Sequence, residues 1–516
     1  MTEPDTRALL GRLDEGRQVD HAEVAQTSPE PLRTFLLAIA ARRGERFRDA
    51  LALFRSAATV DLPEELARRT QAEIAHLLYY EGRFDEGVAT ARQLVRRGPR
   101  DLSRAIALVA LSVNELARND ARAALRSANE ALLEMRMLGA PLYQVVNVKL
   151  QLLHVTAQMG RADEAVRVAR QARSEAQEVA DPLQQARSEY GLGYALWAAG
   201  DHGSIDHFIR AEQLAHSRTG SLRAWIVFCL ACSLRDFGFT AASEHFLAAS
   251  SVNLRHERAW FDVRGGDVSS AVRWLTLPIA RDEIPFLRSV AAAVRLTSEP
   301  RKAASLAAKA AGEFGRLGLH HYRRGAEFIE VGGLLRAGED PTERLTHLIS
   351  DLERAKTANW AFFEPALALE CLAFADRRGI GREHARQLAA SIRVRSSQVA
   401  DEATLLLARP RLLSPAALRA FRDAGLTNRE IWVAVQWLQS WLEGDRANRA
   451  ELAGALAMSD ASLRAHINAI RSKLALGRRR GLAPLLGWLL ERELLTDQAL
   501  ADSVRALLRR TPSEGE

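Results

Sequence analysis

The stretch MGRADEAVRVARQA, Met159 to Ala172, sets the fold. A small turn carrying a glycine opens a run with alanine near its start and again every few residues, the spacing of a helix that packs closely through one face. The arrangement recurs as RGERFRDALALF at Arg43, EGRFDEGVATARQL at Glu81, RNDARAALRSANEAL at Arg118 and AGDHGSIDHFIRAEQLA at Ala199. FGFTAASEHFLAAS at Phe237 is a weaker copy, and a helical stretch such as SEYGLGYALWAAG, Ser188 to Gly200, precedes each turn. The turns fall near residues 44, 82, 119, 160, 200 and 238. Repeated helix pairs at this spacing predict a tetratricopeptide-like α-solenoid with helices longer than in the usual repeat of about 34 residues.

Outward from these repeats, the pattern weakens between residues 252 and 300, where RGGDVSSAVRWL, Pro278 and Pro285 interrupt it. It returns from Arg301 to Leu407, with turns at Gly318, Gly338 and Gly379. The chain therefore reads as all-α, with one solenoid over residues 1–408 and a linker over 409–425 that opens on RPRLLSP, Arg409 to Pro415. A solenoid offers a concave surface to a peptide, a protein segment or a small molecule. Tyr79, Tyr80, Tyr190, Tyr194 and Trp197 are the candidates to line it, although aromatic residues at such spacings also serve repeat packing.

Composition narrows the class. Of 516 residues, 47% are hydrophobic and 26% charged, as in globular proteins. No apolar run is long enough to span a bilayer, and MTEPDTRALL at the start lacks a signal-peptide core, so a cytoplasmic location is expected. Three cysteines cannot build a disulfide framework. Cys229 and Cys232 form a CxxC inside an apolar helix with no second pair, which reads as buried small side chains rather than a zinc or redox site. The net charge of +7 is compatible with nucleic acid without requiring it.

A second informative stretch is ELAGALAMSDASLRAHINAIRSKLAL, Glu451 to Leu476. Leu452, Ala453 and Leu456 mark one short helix. Ser459 is an N-cap for the next, and Asp460 suits the positive end of its dipole. Leu463, Ile467, Ile470 and Leu474 form the buried stripe of that second helix. Ser462, Arg464, Ala465, Asn468, Arg471 and Lys473 form its open, basic side. Two helices joined by a tight turn, the second basic and capped, predict a helix-turn-helix and double-stranded DNA as partner.

These residues resemble the LuxR-type helix-turn-helix, with Glu451, Leu452, Ala453, Leu456, Met458, Ser459, Ser462, Leu463, Arg464, His466, Ile470, Lys473 and Leu474 on its core pattern. Leu426-Thr427-Asn428-Arg429-Glu430 is similar to the family's opening L-T-x-R-E. The resemblance places a DNA-binding domain over 426–510. It implies that Arg464, Ala465 and Asn468 face base edges, with Arg464 suited to guanine and Asn468 to adenine. It further implies that Ser459, Ser462, Arg471 and Lys473 meet phosphates and that Arg478, Arg479 and Arg480 reach the flanking backbone. Departures are a longer tryptophan-rich first helix, IWVAVQWLQSWLEG, and Ala475 where the family favours glycine. Large LuxR-type regulators of the MalT kind pair such a domain with a helical-repeat solenoid and an ATPase. This chain has no GxxxxGK[ST], and none of its lysines follows a glycine.

Nor is there an HExxH, GxSxG or GxGxxG, and HGSIDH at His202 has the wrong spacing for a metal pair. Neither an enzyme nor a cofactor or metal is expected. The resulting expectation is a transcription regulator that senses an effector on its solenoid. It would bind DNA as a homodimer, with Leu485, Leu486, Trp488, Leu489 and Leu490 either a dimer surface or simple packing on the long first helix. The alternative is a solenoid adaptor whose C-terminal domain binds protein.

Overall fold

The computed structural model describes residues 3–15, 17, 19, 24, 30–179, 181–201, 203–215, 221–237, 240–252, 254–264, 267–277, 283–355, 365–390 and 392, and, further on, 417, 420–421, 423–427, 430–431, 433–435, 437–438, 459–476 and 483–494. Every regular element among them is helical. The chain divides into two compact units, Met1–Arg393 and Val394–Glu516.

In the first unit, α1 (Glu3–Asp14) precedes consecutive helix pairs. These are α2 (Glu30–Arg43) with α3 (Phe47–Ala57), α4 (Glu64–Leu77) with α5 (Phe84–Arg97), α6 (Leu102–Ala117) with α7 (Ala121–Met137), and α8 (Leu142–Gln158) with α9 (Ala162–Glu178). The series continues with α10 (Pro182–Ala199) and α11 (Ser204–Ala215), α12 (Ser221–Asp236) and α13 (Thr240–Ala249), and α14 (Arg255–Arg264) and α15 (Val268–Thr276). Then come α16 (Ile284–Arg295) with α17 (Pro300–Leu317), α18 (His320–Arg336) with α19 (Thr342–Ala355), and α20 (Pro365–Arg378). Apart from α13 and α14, each helix packs on the next, and from α4 onward first helices of successive pairs also touch, which is the construction of a solenoid. Where the repeat fades in sequence the pairs persist in shortened form: RGGDVSSAVRWL supplies α15, its start capped by the Asp267 side chain on the Ser270 N–H.

Local chemistry explains the pairs. At Gly160 the backbone turns left-handed (φ 69°), the Gly160 N–H bonds to Ala157 O at 2.8 Å and the Arg161 N–H to Thr156 O at 2.9 Å, closing the helix end. Gly82, Asn119, Gly200 and Gly338 adopt the same conformation at equivalent turns, and Glu45 does so in the first pair. Asp101, Asp120 and Asp181 cap α6, α7 and α10. Second helices bury one narrow stripe, as Ala162, Ala165, Val168, Ala169, Ala172 and Ala176 do on α9. The first helices are enclosed on more sides: α10 needs Gly193, where a Cβ would lie 2.9 Å from the Phe208 ring. Phe54, Phe208 and Phe314 are fully enclosed, and truncating such a side chain to alanine costs about 3–5 kcal/mol.

Charged groups join distant repeats inside this unit. Arg69 bonds to Asp14 at 2.7 Å and to Glu73 at 3.2 Å, while Gln144 reaches Asp14 at 3.2 Å, tying α1 to α4 and α8. Buried ion pairs of this kind fix register more surely than they add stability.

The second unit has its own core, in which Phe421, Leu426, Ile431, Leu463, Ile470 and Leu489 are buried. Ala417 and Phe421, from the stretch read as linker, belong to this core; residues 409–416 lie outside the described set. Its described helices include α21 (Asp460–Lys473) and α22 (Ala483–Glu491).

Candidate functional site

All six tyrosines of the chain, Tyr79, Tyr80, Tyr143, Tyr190, Tyr194 and Tyr322, lie on first helices of the solenoid pairs or just beyond one. Tyr79 and Tyr80 follow α4, Tyr143 is on α8, Tyr190 and Tyr194 are on α10, and Tyr322 is on α18. Tyr190, Tyr194 and Trp197 sit at helical steps of four and three, so one edge of α10 carries all three rings. The rings form a linked series. Phe47 stacks on Tyr80 at 3.7 Å, Tyr79 meets Tyr80 at 5.0 Å, and His154 lies 5.5 Å from Tyr190 and 4.9 Å from Tyr194. Tyr194 meets Trp197 at 5.6 Å, Trp197 meets His321 at 6.4 Å, and His321 meets Tyr322 at 5.2 Å. Tyr79 also lies within electrostatic reach of Tyr190, and Tyr194 within reach of Tyr322. The series thus runs along the first helices from the second pair to the ninth.

Solvent reaches this series unevenly. Tyr80 is 41% exposed, whereas Tyr143 is 2% and Trp197 6% exposed. Tyr79, Tyr190, Tyr194 and Tyr322 are half-buried. The series is thus a mostly half-buried aromatic seam, with the Tyr190 hydroxyl turned to the buried Cys229 thiol. Burial pushes the Tyr79 phenol up to about 12, and the phenols of Tyr190, Tyr194 and Tyr322 are raised further. Burial likewise lowers His76, His154 and His321 to about 4, so their rings are neutral near pH 7. His154 Nδ1 lies 2.7 Å from Leu150 O, which makes Nδ1 the protonated nitrogen of that neutral ring.

Beside the rings runs a buried polar chain. Trp197 Nε1 donates to Asp236 at 2.9 Å, Arg235 holds Asp236 at 2.8 Å, and Arg235 also holds Glu257 at 2.8 Å. Cys229 and Cys232 are buried free thiols on α12, with Tyr190 Oη 3.7 Å from Cys229 Sγ. Burial pushes the Cys229 thiol up to about 12, which suits a packing role. Among the described residues no cluster of three or more His, Cys, Asp or Glu is placed to hold a metal, and no helix is long and apolar enough to cross a membrane.

The structure therefore joins the five aromatic residues picked out in the sequence and adds Tyr143, His154, His321 and Tyr322. Those four were legible only through a rule the sequence did not display, that first helices touch from pair to pair.

In the second unit, α21 begins where expected: Ser459 Oγ accepts the Ser462 N–H at 3.2 Å. Leu463, Ile470 and Leu474 are buried, and Ile467 packs against the same core. Arg464, Ala465 and Asn468 are exposed together, Ser462 and Arg471 are half-buried, and Arg464 is held by Asp460 at 2.9 Å on its own helix. Lys473 Nζ donates to Glu430 at 2.7 Å. Glu430 in turn accepts the Thr427 N–H at 2.6 Å, while Thr427 Oγ1 accepts the Glu430 N–H at 3.3 Å. The L-T-x-R-E stretch thus contains a capping box whose glutamate braces α21. Burial alone would raise the Glu430 carboxyl, but Lys473 and Thr427 outweigh it and hold it low.

Residues 451–458, Arg478, Arg479, Arg480 and His202 lie outside the described residues. Of the two readings of the last helix, packing within its own unit is the one observed. Leu485, Leu486 and Leu489 are enclosed in the unit's own core, and Trp488 stacks on Phe421 at 5.3 Å, so these side chains are spent within one copy.

No protein-family model and no curated protein matches the chain. Several solved structures resemble it at low identity. One is a Rap protein complexed with competence and sporulation factor, 12% identical over 77% of this chain and 95% of that one, with a TM-score of 0.36. Another is aspartyl phosphate phosphatase F from Bacillus subtilis, 13% identical over 72% of this chain and 94% of that one, with a TM-score of 0.28. A third is a kinesin light chain from Podosopora anserina with nearly identical TPR-like repeats, 15% identical over 37% of this chain and 98% of that one, with a TM-score of 0.28.

Proposed function

We propose that the first unit is an interaction module that takes a peptide or protein segment into a channel walled by these tyrosines. The observation that carries this reading is the gathering of all six tyrosines on first helices or just beyond one, with rings linked from pair to pair. Tyrosine provides a large contact area with little side-chain entropy to lose and a polar tip that adapts to backbone groups. The test is selection from a random-peptide display library on the full chain. Selected peptides should lose roughly tenfold or more in affinity when Tyr194 is replaced by alanine, the scale of an aromatic hot spot. Peptides that bind parent and Tyr194→Ala alike would sink this reading.

A second reading, favoured by the joint exposure of Arg464, Ala465 and Asn468 on a capped helix, is that the second unit binds double-stranded DNA in LuxR-type fashion, which would make the protein a transcription regulator. The exposed Arg464–Asp460 pair is no obstacle, since such pairs are worth only about 0–1 kcal/mol. In this reading Arg464, Ala465 and Asn468 address base edges, with Ser462, Arg471, Arg478 and Arg479 near phosphates. Ser459 and Lys473 do the structural work of capping and bracing. Two copies would bind as a homodimer through a surface other than α22, and the three buried thiols fit a reducing, cytoplasmic setting. A salt titration of genomic-fragment binding by the full chain is the check. Specific binding should fall steeply with salt, and Arg464→Ala should relax preference at one base position. Equal, salt-insensitive retention of every fragment, or none at all, leaves the unit as a protein-binding one.

A further inference from the structure

The first turn of the solenoid differs from the others. Equivalent turns place Gly82, Asn119, Gly160 or Gly200 in the left-handed conformation, but here Glu45 occupies it, with φ 60°, although Gly44 is its neighbour. Glutamate is disfavoured in that region and stays there only where its surroundings hold it. The Glu45 side chain is 4% exposed and reaches α10 and α12. Its carboxylate accepts the Leu222 N–H, in the first turn of α12, at 3.1 Å, and the Arg187 guanidinium of α10 at 3.5 Å. Those partners lie 177 and 142 residues away in sequence.

Neighbours of Glu45 reinforce the span. Arg43 bonds to Asp181 at 3.3 Å and lies over the Tyr143 ring at 5.1 Å. Phe47 is stacked on Tyr80. Arg187 itself sits within reach of Tyr80 and Tyr143. A five-residue stretch therefore touches two of the tyrosines and is fastened by polar bonds to α10, its cap and α12. We propose that the Arg43–Phe47 turn is a clasp that closes one end of the tyrosine channel, with Glu45 as its latch, so that a guest enters when the latch lets go. The clasp as a control on binding rests on the channel being a binding site; the closure itself does not.

The experiment uses the full chain without any guest. Glycine accepts φ 60° more easily than glutamate, so Glu45→Gly removes the latch and relieves the backbone at once. Hydrogen exchange at the Leu222 amide and nitration of Tyr143 by tetranitromethane, both mapped by mass spectrometry, should each speed up roughly tenfold, the factor expected when one charge-assisted hydrogen bond is lost. Glu45→Gln and Arg187→Met should move both rates the same way, while amides of α16 to α18 keep their parent rates. Parent rates at Leu222 and Tyr143 in Glu45→Gly overturn the clasp, and so does a uniform rise across all helices, which would signal general loosening. Because no peptide is present, the clasp can fail while the channel still binds peptides, and the peptide selection can fail while the clasp stands.

Discussion

His154 shows how one residue reads its place in the fold. Its half-buried ring lies between Tyr190 and Tyr194, and burial holds it near 4 against an ordinary value of about 6.5. The folded state thus prefers the neutral ring. Stability from this preference is complete above about 6.5 and is lost as pH falls from there towards 4. His76 and His321 act in the same direction. Glu327 acts in the opposite one, since burial pushes its carboxyl up to about 7 and its protonation favours the fold as pH drops. With His320 also lowered to about 4, four histidines against this glutamate predict a falling denaturation midpoint between pH 6.5 and 4. His154→Phe, which keeps the ring and removes the titration, should flatten that decline; an unchanged slope would show that the site does not exclude the charged imidazole. Nothing in the residue's sequence neighbourhood, QLLHVTAQ, foretold this, because the tyrosines that enclose it come from another pair.

Helix α21 illustrates what a single element discloses. Its cap, buried stripe and open face were all readable from Ser459 to Leu474, since they depend on local hydrogen bonds and a period of about 3.6 residues. The Ser459 hydroxyl satisfies one otherwise free N–H. Ser459→Ala should lower the unfolding free energy of the second unit by about 1 kcal/mol, measured by chemical denaturation, with the first unit's transition unmoved. If the midpoint does not shift, the cap bond is not contributing. The role of Lys473 was not readable locally. Its partner Glu430 is 43 residues away, and only the fold turns an expected phosphate contact into a brace. The same limit explains α22, whose apolar residues read alike as a surface for a second copy or as packing. They meet Phe421, from a stretch that composition alone had marked as a connector.

At the scale of the molecule, the solenoid was legible because each turn repeats a small residue and each second helix repeats an alanine stripe. Both are short-range consequences of helix ends and close packing. The continuity of pairs through residues 252–300 was less visible, as α14 and α15 are short and their turn lies among residues that break the period. The channel was half legible. Five aromatic positions stood out, but the contact between first helices is a property of how pairs stack, and so are the bonds from Glu45, Arg43 and Gln144 to partners more than a hundred residues away.

The gathering of every tyrosine on or just beyond first helices has an optical consequence. Nine tryptophans also absorb in the near ultraviolet, but there only the six phenols change their spectrum on ionising. The alkaline difference spectrum of the intact protein therefore comes from the channel alone. Its midpoint is set by how firmly the channel excludes water, so the chain carries its own unlabelled dye for the state of that surface.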